Sequence, residues 1–116
     1  MKLAVVGSRE FNDFELVEEE IIERILEYDS IITGGAKGVD QFAEEFAVRN
    51  NLPYEIIRPI NPSNKVDYLF RNIEIITKAD KILAFWDGKS RGTKFVIDYA
   101  KARGKDIEVF KSKNET

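Results

Sequence analysis

The sequence predicts an α/β fold, with one five-stranded parallel sheet in the order 3-2-1-4-5 and helices on both faces. Strand-like and helix-like segments alternate along the whole chain, which is typical of βαβ units. Residues 3–6 and 82–86 are continuously apolar, as strands covered on both faces are. Residues 106–110 alternate between polar and apolar, as an edge strand does. The two apolar strands therefore belong at the centre of the sheet, side by side.

The first half of the chain divides into two strand–helix units. A strand is predicted over residues 2–6, followed by a helix capped by Asn12, with Glu15 completing a capping box. A second strand covers residues 30–33, and a second helix covers 39–50, which Pro53 prevents from continuing.

The second half repeats the pattern. A strand over 54–57 leads through a proline-punctuated turn to a helix over 65–78, with Leu69, Ile73 and Ile76 on its buried side. A strand over 81–86 precedes a helix from about 94 to 103, and the last strand follows. We expect one domain over residues 1–110 and a polar tail over 111–116.

The composition excludes several kinds of chemistry. The chain has no cysteine and no histidine, so it has no disulfide, no thiolate nucleophile and no imidazole base. Its net charge of −3 disfavours binding of single-stranded nucleic acid, which needs a basic surface. The sequence has no signal-peptide pattern and no apolar run of about 20 residues, so we expect a cytoplasmic protein with no membrane partner.

Three glycine-bearing loops each follow a predicted strand. The loop at 34–38 holds three glycines in five positions and opens a helix, and others follow the first and fourth strands. Glycine lets backbone N–H groups approach a ligand, and the start of a helix adds a positive partial charge. In the order 3-2-1-4-5, which is Rossmann-like, all three loops lie at one end of the sheet, around a crevice between strands 1 and 4. The sequence therefore predicts a phosphate-binding site there.

Four blocks of the sequence resemble a known family. They are Gly-Ser-Arg-Glu-Phe at 7–11, Thr-Gly-Gly-Ala-Lys-Gly-Val-Asp at 33–40, Arg-Asn at 71–72, and Ala-Asp at 79–80 leading to residues 85–93. Together they are similar to the YspA/YpsA-related branch of the SLOG superfamily. The resemblance implies a Rossmann-like domain that binds a nucleotide or a nucleotide-derived ligand. A role as a sensor of this ligand is one interpretation.

The same superfamily offers two alternative functions. LOG-type phosphoribohydrolases release a base from a nucleoside monophosphate, and DprA binds single-stranded DNA. Arg71 and Asp80 keep the LOG spacing, and Gly92-Thr93 match its glycine loop, but the position of the LOG catalytic Glu is Val96. The sequence thus leaves open whether the protein is an enzyme. As an enzyme it would be an N-glycosidic or phosphoribosyl hydrolase, with Arg71, Asp87 and Glu10 as weak catalytic candidates.

The candidate ligand-binding residues come from the loops and from Arg71. They are Gly7, Ser8, Arg9, Gly34, Gly35, Ala36, Gly38, Asp40, Arg71, Asp87, Gly88, Ser90, Arg91, Gly92 and Thr93.

The residue types of the charged candidates indicate their roles. Arg9 could bind a phosphate, and positive charge at the rims of the loops comes from Lys37, Lys89 and Arg91.

Three further residues keep two roles each. Asp40 either stabilises the start of a helix or accepts a hydrogen bond from a ribose hydroxyl. Ser90 and Thr93 either cap the fourth helix or contact phosphate.

The predicted partner is a nucleotide-derived small molecule. No protein metal site is expected, although Mg²⁺ accompanying a nucleotide is an open possibility. The oligomeric state is also open, with a homodimer as one alternative.

Overall fold

The structure, a computed structural model, describes residues 1–111. Five strands form one parallel sheet in the order β3-β2-β1-β4-β5, which confirms the predicted fold class. The strands are β1 (Lys2–Gly7), β2 (Ser30–Thr33), β3 (Tyr54–Ile56), β4 (Lys81–Phe85) and β5 (Asp106–Phe110). The helices are α1 (Phe14–Arg24), α2 (Val39–Arg49), α3 (Lys65–Lys78) and α4 (Arg91–Ala102), and a short 3₁₀ turn, Ile25–Glu27, extends α1. Of the predicted tail, only Lys111 is described, and 112–116 lie outside the described residues.

The central strands contribute side chains to two separate cores. Leu3 and Val5 of β1 pack on one face with α1 and α2, whereas Ala4 and Val6 pack on the other with α3 and α4. Successive side chains of a strand point to opposite faces, so a continuously apolar strand supplies both cores. β1 and β4 are direct neighbours, with Gly7 opposite Phe85, and the crevice of such a sheet opens where strand order reverses between them.

Three details of the helices differ from the sequence prediction. The cap of α1 is Asp13, not Asn12, because the Asp13 carboxylate accepts the Leu16 amide at 3.3 Å. Helix α4 begins three residues earlier than expected, since Ser90 caps it by accepting the Thr93 amide at 3.3 Å.

The prediction of which side of α3 is buried was also partly wrong. Leu69 is 42% exposed, whereas Asn72, Ile75 and Ile76 are buried. In the first half of α3, the side that faces the core is therefore displaced by one residue from the predicted side.

Candidate functional site at the carboxyl end of the sheet

The loops that follow β1, β2 and β4 surround one cavity of about 580 Å³ at the carboxyl end of the sheet. Most residues that the sequence singled out line it: Gly7, Arg9, Glu10, Ala36, Asp40, Arg71, Asp87, Lys89, Ser90, Gly92 and Thr93. Val6, Ile75 and Val96 supply an apolar wall. Tyr68 and Asn72 of α3 also line the cavity but were not chosen as binding residues.

A smaller cavity of about 230 Å³ adjoins the first and shares Arg9, Ala36, Tyr68 and Arg71 with it. Gly34, Gly35 and Lys37 line only this second cavity. The remaining predicted binding residues, Ser8, Gly38, Gly88 and Arg91, line neither of the two.

Ser8 links the first and fourth loops from inside the protein. It is 1% exposed, and its hydroxyl donates to Oγ1 of Thr93 at 3.2 Å. The same oxygen accepts the Asp87 amide at 3.2 Å. Ser8 and Thr93 therefore hold the two loops together, and these contacts require no ligand.

Asp40 links the first and second loops in the same way. Its carboxylate is 4% exposed and accepts the amides of Gly7 and Ala36, each at 3.2 Å. Burial raises the pKa of Asp40 to about 6, against the lowering effect of those backbone hydrogen bonds and of Arg71. Asp40 therefore holds the two neighbouring loops together, a role that the sequence did not suggest.

Arg71 lies between the two cavities. Nη1 donates to the carbonyl oxygens of Gly34 and Ile57, and Nε donates to Oδ1 of Asn72 at 2.9 Å. The guanidinium also stands 5.3 Å from the centre of the Tyr68 ring, a cation–π distance. The pKa of Arg71 is lowered, mainly because the guanidinium is partly buried. Several fixed contacts therefore position this cation at the border of both cavities.

Asp87 shapes the turn before α4. Its Oδ1 accepts the amides of Lys89 and Ser90, each at 2.8 Å. Burial opposes ionisation of this carboxyl, but the hydrogen bonds from the Ser90 and Lys89 amides outweigh it and lower the pKa of Asp87. A carboxylate that stays ionised and already accepts two amides is a weak proton acceptor. Glu10, the other carboxylate candidate, is exposed at the rim of the cavity.

The start of α4 has free backbone donors, and one of the residues that carry them, Gly92, lines the larger cavity. Ser90 accepts the Thr93 amide, but within residues 1–111 no hydrogen bond takes up the amides of Arg91 and Gly92. A Cβ on Gly92 would meet no atom within 4 Å, so the space beside this residue is open. Such donors and the helix dipole favour an anion.

Among residues 1–111, no group of three or more carboxylates is placed to hold a metal ion. In the same part of the chain, no helix combines the length and the apolarity that crossing a bilayer requires.

Comparison with known proteins supports the fold and the family. The chain matches no curated protein sequence. Among solved structures, it is similar to DNA processing protein A (DprA) from Streptococcus pneumoniae, with a TM-score of 0.77 and 20% sequence identity. The similarity covers 93% of this chain and 49% of that one, so the chain spans about half the length of that relative. At this identity the likeness extends to the fold alone.

The family follows from the sequence match. Residues 1–60, more than half of the 116-residue chain, match the model of the YspA, cpYpsA-related SLOG family, named YAcAr. This matched segment contains the first two glycine loops, Arg9 and Asp40. The chain therefore belongs to the YspA, cpYpsA-related SLOG family.

Proposed function

We propose that the protein binds a nucleotide or a nucleotide-derived small molecule in the larger cavity. The observation that carries this proposal is the meeting of three glycine-bearing loops around one cavity of about 580 Å³, beside the β1–β4 boundary. That volume is in the usual range for small-molecule sites, and in sheets of this topology ligands bind at such a boundary.

The walls of the cavity suit a molecule with one anionic end and one flat, less polar end. The free amide of Gly92, which lines the cavity, is suited to a phosphate. Val6, Ile75 and Val96 offer an apolar surface against which a base or sugar could pack. We assign the phosphate to the start of α4 and the nucleoside to the apolar wall.

The site favours binding over turnover. Asp87 is held ionised by backbone donors, and Val96, 3% exposed, is part of the apolar core. Asp40, whose pKa is raised to about 6, also lines the cavity, but it is 4% exposed and already accepts the amides of Gly7 and Ala36. A sensor or carrier of the ligand is therefore the role we propose.

Nucleic acid is the alternative that the name of DNA processing protein A raises. The larger cavity has as many carboxylates as cations, namely Glu10, Asp40 and Asp87 with Arg9, Arg71 and Lys89. This balance does not favour a polyanion, for which a continuous basic surface is typical. A short single-stranded oligonucleotide nevertheless belongs in the test panel.

The test is isothermal titration calorimetry with nucleoside mono- and diphosphates, ADP-ribose and a short oligothymidylate. We expect heat of binding for at least one nucleotide, with that binding lost in Gly92→Asp, because the added carboxylate would repel a phosphate at the start of α4.

Two matched variants make the result interpretable. Gly92→Ala adds a side chain without charge at an open position and should keep binding. Leu26→Asp places the same charge on a residue that is 97% exposed in the 3₁₀ turn before β2, near the amino end of the sheet. A panel in which no nucleotide binds, or equal loss in Leu26→Asp, would refute the proposal.

A further inference from the structure

The two cavities differ sharply in charge. The larger one is lined by three cations and three carboxylates. The smaller one is lined by Arg9, Lys37, Arg58 and Arg71, and no carboxylate is among its lining residues. Four cations around about 230 Å³, with no carboxylate among them, make the smaller cavity more positive than the larger one.

Three of these four cations make no ion pair in the described part of the chain, whereas Arg71 interacts with Asp40. Within residues 1–111, no ion pair involves Arg9, Lys37 or Arg58. Arg9 and Arg58 add to burial in lowering the pKa of Arg71, because like charges oppose one another. A bound anion would relieve this repulsion.

The cations come from four different segments, so no single helix or loop explains their meeting. Arg9 follows β1, Lys37 is in the loop before α2, Arg58 follows β3, and Arg71 is in α3. The carboxyl ends of β1, β2 and β3 lie side by side in the sheet, which brings the three loops together.

Gly35 makes room for Arg58. Its φ is +74°, and a Cβ there would lie 2.5 Å from Nη1 of Arg58 and 2.9 Å from Cγ2 of Ile56. The guanidinium of Arg58 therefore lies directly against the backbone of the glycine loop. Any side chain at position 35 would displace it and would also strain the backbone.

We propose that the smaller cavity binds a second anionic group of the same ligand, held by Arg58 and Lys37, so that the ligand is a nucleotide with a pyrophosphate group. This proposal rests on the proposed function, since it adds a second subsite to the nucleotide site. Guanidinium groups recognise phosphate oxygens through paired hydrogen bonds. Arg71 and Arg9 border both cavities, so they would contact the phosphate in the larger cavity and the phosphate in the smaller one.

The test compares AMP with ADP, and GMP with GDP, by calorimetry on the whole chain. The proposal predicts that the diphosphate binds about 10- to 100-fold more tightly than the monophosphate, the range for one or two charge-assisted hydrogen bonds. Arg58→Gln should remove this preference and leave the monophosphate affinity unchanged. Lys37→Gln should reduce the same preference.

Arg49→Gln is the matched control, because Arg49 is an exposed arginine at the end of α2, outside both cavities. It should change neither affinity. Arg58 and Lys37 are exposed, so we expect all three variants to fold, and thermal unfolding checks this.

The outcomes separate the two proposals. Equal affinity for mono- and diphosphate, or an Arg58→Gln variant that weakens both alike, overturns the second subsite and leaves the nucleotide site standing. Binding of no nucleotide at all overturns both.

Discussion

Asp40 and Arg71 flank the backbone of Gly34. A Cβ on Gly34 would lie 2.8 Å from Oδ2 of Asp40 and 2.7 Å from Nη1 of Arg71. Arg71 also donates to the Gly34 carbonyl oxygen, and Asp40 accepts the amide of Ala36. An acidic and a basic side chain from two helices on opposite faces of the sheet thus fix the same stretch of loop between the two cavities.

The first prediction concerns Gly34 itself. We expect Gly34→Ala to lower the free energy of unfolding by about 1–3 kcal/mol, because the new methyl group would push on two positioned side chains. Gly92→Ala is the control, since a Cβ there meets nothing within 4 Å. Urea unfolding of both variants measures the difference, and equal stability for the two would contradict the close contact at Gly34.

A second prediction concerns the pH dependence of stability at Asp40. Its pKa is raised from 3.8 to about 6 in the folded protein. The folded state therefore holds the proton more tightly than the unfolded state. The stability that this group contributes is complete below about pH 4 and is lost as the pH rises through about 6, by an amount on the order of 3 kcal/mol.

Asp40→Asn isolates this effect. The amide cannot titrate, so the difference in free energy of unfolding between unmodified protein and variant should fall between about pH 4 and pH 7. Replacement of the carboxylate also changes the hydrogen bonds to Gly7 and Ala36, but that part does not depend on pH. A difference that stays constant across this range would mean that the pKa of Asp40 is not raised.

The third prediction tests the link between the first and fourth loops. In Thr93→Val the hydroxyls of Ser8 and Ser90 both lose their acceptor while the side chain keeps its shape. We expect a loss of about 1–2 kcal/mol in the free energy of unfolding, because each of the two hydrogen bonds contributes on the order of 1 kcal/mol. Ser90→Ala removes the cap of α4 and should cost about as much. Ser8→Ala combined with Thr93→Val should cost less than the sum of the two single changes, since both remove the same bond.

The sequence predicts the sheet well because its signals are local. Each signal depends on a few neighbouring residues, as shown by the apolar runs in β1 and β4, by Pro53 after α2 and by the alternation in β5. The strand order and the meeting of the glycine loops follow from those segments and from general rules of parallel sheets.

The parts of the site that the sequence did not reveal depend on contacts across the fold. Arg58 lies two residues after the edge strand β3, and its place against Gly35 depends on a positive φ that many glycines do not adopt. The pairing of Asp40 with the Gly7 amide joins residues 33 positions apart. Tyr68 could have been found, because it lies three residues before Arg71 and so on the same side of a helix.

Gly35 illustrates how the structure changes the choice of experiment. The sequence alone favours Gly35→Asp as the variant that abolishes binding and keeps the fold, because Gly35 lies in the predicted phosphate-binding loop and an added carboxylate would repel an anion. The positive φ and the contact with Arg58 show that any side chain there would be strained. Gly92→Asp is the better variant, because its new carboxylate enters open space.

The last prediction is that the protein does not efficiently release bases from nucleoside monophosphates. Cleavage of the glycosidic bond passes through an oxocarbenium-like state, which needs a nearby carboxylate to stabilise charge and handle a proton. Val96 occupies the position of that carboxylate in the LOG pattern, and it is buried in the wall of the cavity. Loss of such a group typically lowers the rate by a factor on the order of 10²–10⁴.

The assay is release of adenine from AMP by the unmodified protein and by Val96→Glu. We expect little release from the first, and a higher rate from the second only if the added carboxylate reaches the ribose. Because a glutamate at a buried position also costs stability, unfolding of the variant must be measured alongside. Asp87→Asn serves as the companion variant, since Asp87 is the carboxylate at the end of β4. Fast release that Asp87→Asn abolishes would show that the site is catalytic and that its carboxylate comes from the turn before α4.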